Sequence, residues 1–135
     1  MNLSRFVDAQ GPVIAAARAE LGAGEKRSHW MWFLFPQIAG LGKSPMAQHY
    51  AIASLAEARA YLDHPVLGAR LRELTRLVLA IEGKMAHEIF GSPDDIKFRS
   101  SMTLFDAVSP GDVFAAALDK YFGGARDPLT LQKLR

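Results

Sequence analysis

The stretch RSHWMWFLFPQ, Arg27 to Gln37, sets two tryptophans, a histidine and two phenylalanines behind a basic, hydroxyl-bearing flank and stops at a proline. An indole offers a wide apolar face whose N–H needs a partner, so it is rarely buried whole and often walls a pocket or an interface. Lys26, Arg27, Ser28 and His29 stand directly ahead of Trp30. Ser28 is placed to cap a helix whose first N–H groups lack intrahelical partners, and a helix start flanked by basic side chains takes an anion. The segment therefore predicts a phosphate at one end and a flat ring on Trp30 or Trp32. The competing reading is packing. As helix or as strand the segment is apolar on nearly every face, which sends Met31, Phe33, Leu34 and Phe35 to the core. If the protein is an enzyme, His29 is the first choice for acid–base work, because imidazole titrates near neutrality.

Two further polar clusters have the right chemistry. GLGKS, Gly40 to Ser44, ends in the Gly-Lys-Ser order of a phosphate loop, but position 37 is Gln37 where that loop needs glycine. A Walker loop is therefore rejected, and a looser anion contact from Lys43 and the helix start at Ser44 remains. In IKFRSSMTLF, Lys97, Arg99, Ser100, Ser101 and Thr103 share a helix with core-facing Phe98, Met102 and Phe105. Mid-helix hydroxyls often do no more than bond a preceding carbonyl, yet this density also suits a polar pocket wall. None of the four histidines has metal-binding spacing, and the chain has no cysteine. No metal and no cofactor is expected.

The elements that must position these groups are helices. Ser44-Pro45 is a cap followed by proline, and Ser54 to Glu57 has capping-box spacing for a helix running to Asp63. Gly11-Pro12 opens a segment striped by Ile14, Ala17 and Leu21 that Gly22 closes. Leu67, Leu71, Leu74, Val78 and Ile81 form the clearest stripe, after Pro65 and before Gly83. A short turn spans Met85 to Phe90, and Ser92-Pro93-Asp94-Asp95 opens the helix striped by Phe98, Met102, Phe105 and Val108. Phe114, Ala117, Leu118 and Tyr121 mark another, and Asp127-Pro128 starts a last one. HYAIA, from His49, either continues a helix or makes an extended link. No strand alternation is present, so the fold is expected to be all-α, one compact domain of about seven short helices.

With 135 residues, half of them apolar, the chain has enough material for one packed core. No run reaches the roughly 18 apolar residues of a membrane span, and the N-terminus lacks a leader's apolar stretch. A soluble, cytoplasmic protein is expected, with no membrane partner. A net charge of +2 and interleaved basic residues argue against nucleic acid.

SHWMWFLFPQIAGLGKSPMAQHYAI, EARAYLDHPVLGARL and IFGSPDDIKFRSSMTLFDAV together resemble the family called domain of unknown function 1810. The likeness runs from RFVDAQ to FGGARDP. It implies a mainly helical domain and no known activity, substrate or catalytic residue. Its blocks fall on Asp8, Gln10, Lys26, Ser28 through Gln37, Gly40 to Ser44, His64-Pro65 and Phe90 through Phe105. The polar members, Gln37 among them, are the ones that packing does not explain. The leading expectation is a protein that binds or transforms a small, nucleotide-like molecule in an aromatic and basic pocket. The alternatives are a protein–protein interaction module using exposed tryptophan, and a weak single-stranded nucleic-acid binder.

Overall fold

The computed structural model describes residues 1–135 and contains ten α-helices and no strand. In chain order they are α1 Ser4–Gln10, α2 Ile14–Gly22, α3 Met31–Leu34, α4 Pro45–His49, α5 Leu55–Asp63, α6 Leu67–Ala80, α7 Ala86–Phe90, α8 Asp94–Val108, α9 Val113–Phe122 and α10 Pro128–Lys133. The all-α expectation stands, with more helices than expected. Helix α1 was not anticipated. It buries only Phe6 and Gln10, so it has no stripe, and its start is capped by Asn2 Oδ1 accepting from the Ser4 N–H at 2.9 Å.

The side-chain caps fall largely where the residue types put them. Ser44, Ser54 and Asp127 accept from the N–H groups of Ala47, Glu57 and Thr130. Pro12 lies in a turn before α2 rather than inside it, and Pro65 precedes α6 rather than starting it. At α6 the cap is an imidazole: His64 Nδ1 accepts from the N–H groups of Val66 at 3.1 Å and Leu67 at 3.2 Å. HYAIA divides between the two alternatives: His49 ends α4, and the residues around Ile52 form the extended link. Ile52 forms a lone parallel bridge with Ile38, held by Ile52 N–H to Gln37 O and Ala39 N–H to Ile52 O, each at 2.8 Å.

Helix α8 is the centre of the molecule, packed against α5, α7, α9 and α10, while α6 packs against α2, α5 and α9. From Ser100 through Phe105 every residue of α8 is buried. The α5–α6 approach depends on Gly68, where a Cβ would stand 1.9 Å from the Leu62 carbonyl oxygen. The tryptophan segment is mostly core, as Met31, Phe33, Leu34 and Phe35 were expected to be. Its single helical turn ends on a buried polar knot. The Phe33 carbonyl accepts from Gln10 Nε2 at 2.8 Å and from the Tyr61 hydroxyl at 3.3 Å, and Gln10 Nε2 also donates to that hydroxyl at 2.8 Å. Burial pushes the Tyr61 hydroxyl well above the usual phenol range, further than Gln10 and Arg70 pull it back.

Candidate ligand cleft

The two tryptophans part company in the structure. Trp30 is wholly buried, against Phe35 at 6.1 Å between ring centroids. Burying an indole is worth about 4–6 kcal/mol, of which an unpaired N–H would forfeit about 1–3. Glu20 prevents that loss by accepting from Trp30 Nε1 at 3.0 Å. The same carboxylate accepts from the N–H groups of Arg27 and Ser28 and from the Ser28 hydroxyl. Ser28 therefore does not cap the helix; the N-cap position is Trp30, and the serine ties the preceding loop to α2. Burial pushes the Glu20 carboxyl up. The hydrogen bonds from Ser28, Arg27 and Trp30 outweigh it and hold the group at about 2, against an ordinary 4.5.

Trp32 is half-buried and walls a cleft of about 150 Å³ with Gln37, Ile38, Gly40, Gln48 and Tyr50. A second lobe of about 210 Å³ shares Gln37 and Gly42 with the first. Its other walls include Leu41, Ile96, Lys97, Ser100 and Asp127. Neither lobe alone reaches the ~300 Å³ at which pockets enclose drug-sized ligands. The two lobes are neighbours that meet at Gln37 and Gly42. At the junction the Gln37 side-chain amide has no hydrogen-bond partner in the protein, its backbone carbonyl being the group that Ile52 uses.

The groove is built on two scaffolds. One is α8, which contributes Lys97 and Ser100 from the polar cluster. The other is the segment between Ile38 and Ile52, closed by their bridge and held from α1 by Arg5, which donates to the carbonyls of His49 at 2.9 Å and Ala51 at 3.0 Å. Within that segment Gly40 has φ +97°, and a Cβ there would meet the Lys133 side chain at 3.0 Å. Lys133 thus brings a cation from α10 close to the first lobe.

Asp94 organises the charges. Its carboxylate holds Lys26 Nζ at 2.9 Å and Lys97 Nζ at 3.6 Å. Each ammonium also lies near one indole, Lys26 at 5.1 Å from the Trp30 ring centroid and Lys97 at 5.5 Å from that of Trp32. The two lysines differ in access. Lys26 is 8% exposed and donates to Ser28 O at 2.6 Å, so its charge is committed within the fold. Lys97 is 26% exposed and lines the second lobe.

Of the residues singled out from sequence, the cleft gathers Trp32, Gln37, Lys97 and Ser100. Lys43 and Ser44 are exposed on the loop beside Gly42, with Ser44 capping α4. Arg99 donates to the carbonyls of Ala125 and Arg126, and Thr103 donates to Arg99 O and accepts from Asp127 N–H, so both fix the approach to α10. Ser101 is buried with its hydroxyl unpartnered. Arg27 is paired only with exposed Glu25 at 3.5 Å, and His29 is exposed and lines neither lobe. Sequence reasoning missed Gln48 and Tyr50, which follow Ser44 on and after α4, and Asp127 and Lys133, which come from the far end of the chain; only Asp127, as a cap before Pro128, carried a local signal. No helix is long and apolar enough to cross a membrane, and no cluster of side chains is suited to hold a metal ion.

Comparison with solved structures finds the conserved hypothetical protein Rv1873 from Mycobacterium tuberculosis, with a TM-score of 0.96 and 53% sequence identity over 98% of this chain and 95% of that one. No functionally curated protein matches. The model of the family described as protein of unknown function, DUF1810, matches residues 1–134, and the chain belongs to that family.

Proposed function

We propose that the protein binds a small nucleotide-like molecule, a planar ring carrying an anionic group, in the groove between α8 and the Ile38–Ile52 segment. The observation that carries this reading is Trp32, half-open at the groove wall with the Lys97 ammonium 5.5 Å from its ring. A ring stacks on the indole face, and the anion meets Lys97, whose charge Asp94 only partly offsets because Lys26 holds the same carboxylate more closely. Lys43 and Lys133 add positive charge near the first lobe. The free Gln37 amide offers one donor and one acceptor in a plane, the pattern that reads the edge of a purine. The combined size suits a mononucleotide better than a dinucleotide.

The test is calorimetric titration of the protein with adenosine 5′-monophosphate and with adenosine, at low and moderate salt. The monophosphate is expected to bind more tightly than the nucleoside, by a margin that salt reduces. Tryptophan fluorescence should change with it, and Trp32→Ala should abolish the heat while thermal melts show a folded protein. Absence of binding by every nucleotide tried, in a folded protein, overturns the proposal.

A further inference from the structure

The second lobe holds a carboxylate that ring stacking and anion contact leave unused. Asp127 is 8% exposed and lines the lobe together with Lys97 and Ser100. One of its oxygens is saturated: Oδ2 accepts from Ser100 Oγ at 2.9 Å, from Thr130 N–H at 3.2 Å and from the Thr130 hydroxyl. Its own backbone N–H donates to Thr103 Oγ1 at 3.0 Å, which fixes the residue from the far side. The other oxygen, Oδ1, takes no hydrogen bond from the protein. Nor is it sealed away, since Ser101 Oγ is the one buried side-chain polar atom left without a partner. Asp127 also belongs to none of the ion pairs. The result is an acceptor oxygen without a protein donor and not fully buried, on a carboxylate whose other oxygen is pinned by Ser100 and Thr130 and whose residue lines the lobe.

A molecule seated in the lobe can supply the donor that the protein does not. Lys97 lines the same lobe, so a second ammonium is disfavoured there, whereas a neutral hydroxyl can donate to Oδ1 without bringing like charges together. Carboxylates read ribose hydroxyls in this way in dinucleotide-binding folds. We infer that Asp127 is the specificity-determining residue of the groove, accepting through Oδ1 a hydrogen bond from a sugar hydroxyl, so that the site selects ribonucleotides over their deoxy counterparts. The inference rests on the nucleotide reading above and adds the sugar to it.

The experiment is calorimetric titration of the unaltered protein with adenosine 5′-monophosphate and with its 2′-deoxy, 3′-deoxy and 2′,3′-dideoxy forms at one ionic strength. A hydrogen bond to a charged acceptor leads us to expect the dideoxy compound to bind at least ~10-fold more weakly, with one monodeoxy form sharing the loss. Asp127→Asn, which keeps an oxygen for the α10 cap, should narrow that ratio, with melting curves to verify folding. Because the ligand series needs no variant, a misfolded Asp127→Asn leaves the test intact. Equal binding of all four compounds overturns the sugar contact and leaves the nucleotide reading standing. No binding by any of them overturns both.

Discussion

Replacing Glu20 with glutamine tests the least expected of the structural anchors. Glu20 gathers hydrogen bonds from Arg27, Ser28 and Trp30, and its carboxyl is held at about 2 against an ordinary 4.5. A depression of that size corresponds to about 3 kcal/mol at 1.36 kcal/mol per pH unit. Glu20 is partly open to water, so screening reduces the usable share to about 1–2 kcal/mol. The sign follows from the lowered pKa: the contribution is complete above pH 4.5 and disappears as pH falls from there toward 2. Glu20→Gln lacks it at every pH. The variant should therefore be less stable by about 1–2 kcal/mol at pH 7, lowering Tm by roughly 5 °C for a domain of this size. The gap should shrink at pH 3 and close near pH 2. Urea unfolding followed by circular dichroism at pH 7, 5 and 3 measures it. A gap of equal size at pH 3 and pH 7 would show that the charge is not what holds the loop, and would refute the reasoning.

Three other substitutions have definite expected outcomes. Gly68→Ala ought to stabilise an ordinary helix interior by about 1 kcal/mol. Here the new Cβ would meet the Leu62 carbonyl at 1.9 Å, and we expect a loss of roughly 3 kcal/mol or more by chemical denaturation, the opposite sign. Tyr61→Phe removes the hydroxyl between Gln10 and the Phe33 carbonyl and should cost about 1–2 kcal/mol, read from the urea midpoint with an unchanged m-value. His64→Ala should cost about 1 kcal/mol through loss of the α6 cap, and His64→Asn should recover most of it in parallel melts.

The helices were legible wherever the signal was local. Caps at Ser44, Ser54 and Asp127 were visible in the residues themselves, and so was the stripe Leu67, Leu71, Leu74 and Val78. Helix α1 was hidden because it has neither stripe nor strong cap, and tertiary contacts with α3 sustain it. The site was only half legible. The density of tryptophan and lysine marked segments that line the candidate cleft, but nothing local tells Trp30 from Trp32. That difference is made by Glu20, ten residues upstream of Trp30, whose bond to the indole makes complete burial tolerable. Lys26 shows the same limit. From sequence it was a free cation at a helix start, yet its partner Asp94 lies on another helix. Asp127 was readable as a cap, whereas the open oxygen on its other side depends on where Ser100, Thr103 and Thr130 stand.

The bridge between Ile38 and Ile52 makes the intervening residues a closed Ω-loop. Between Ala39 and Ala51 no residue is buried, and only Leu41 and Tyr50 lean on the core. The hydrophobic body therefore gains little from this loop's composition, and the two amides of the clasp, Ala39 and Ile52, should report its opening in hydrogen exchange ahead of global unfolding. The loop is therefore a module separable from the helical core. Substitutions between the same two isoleucines are expected to alter the lining of the first lobe while the helical core stays as it is.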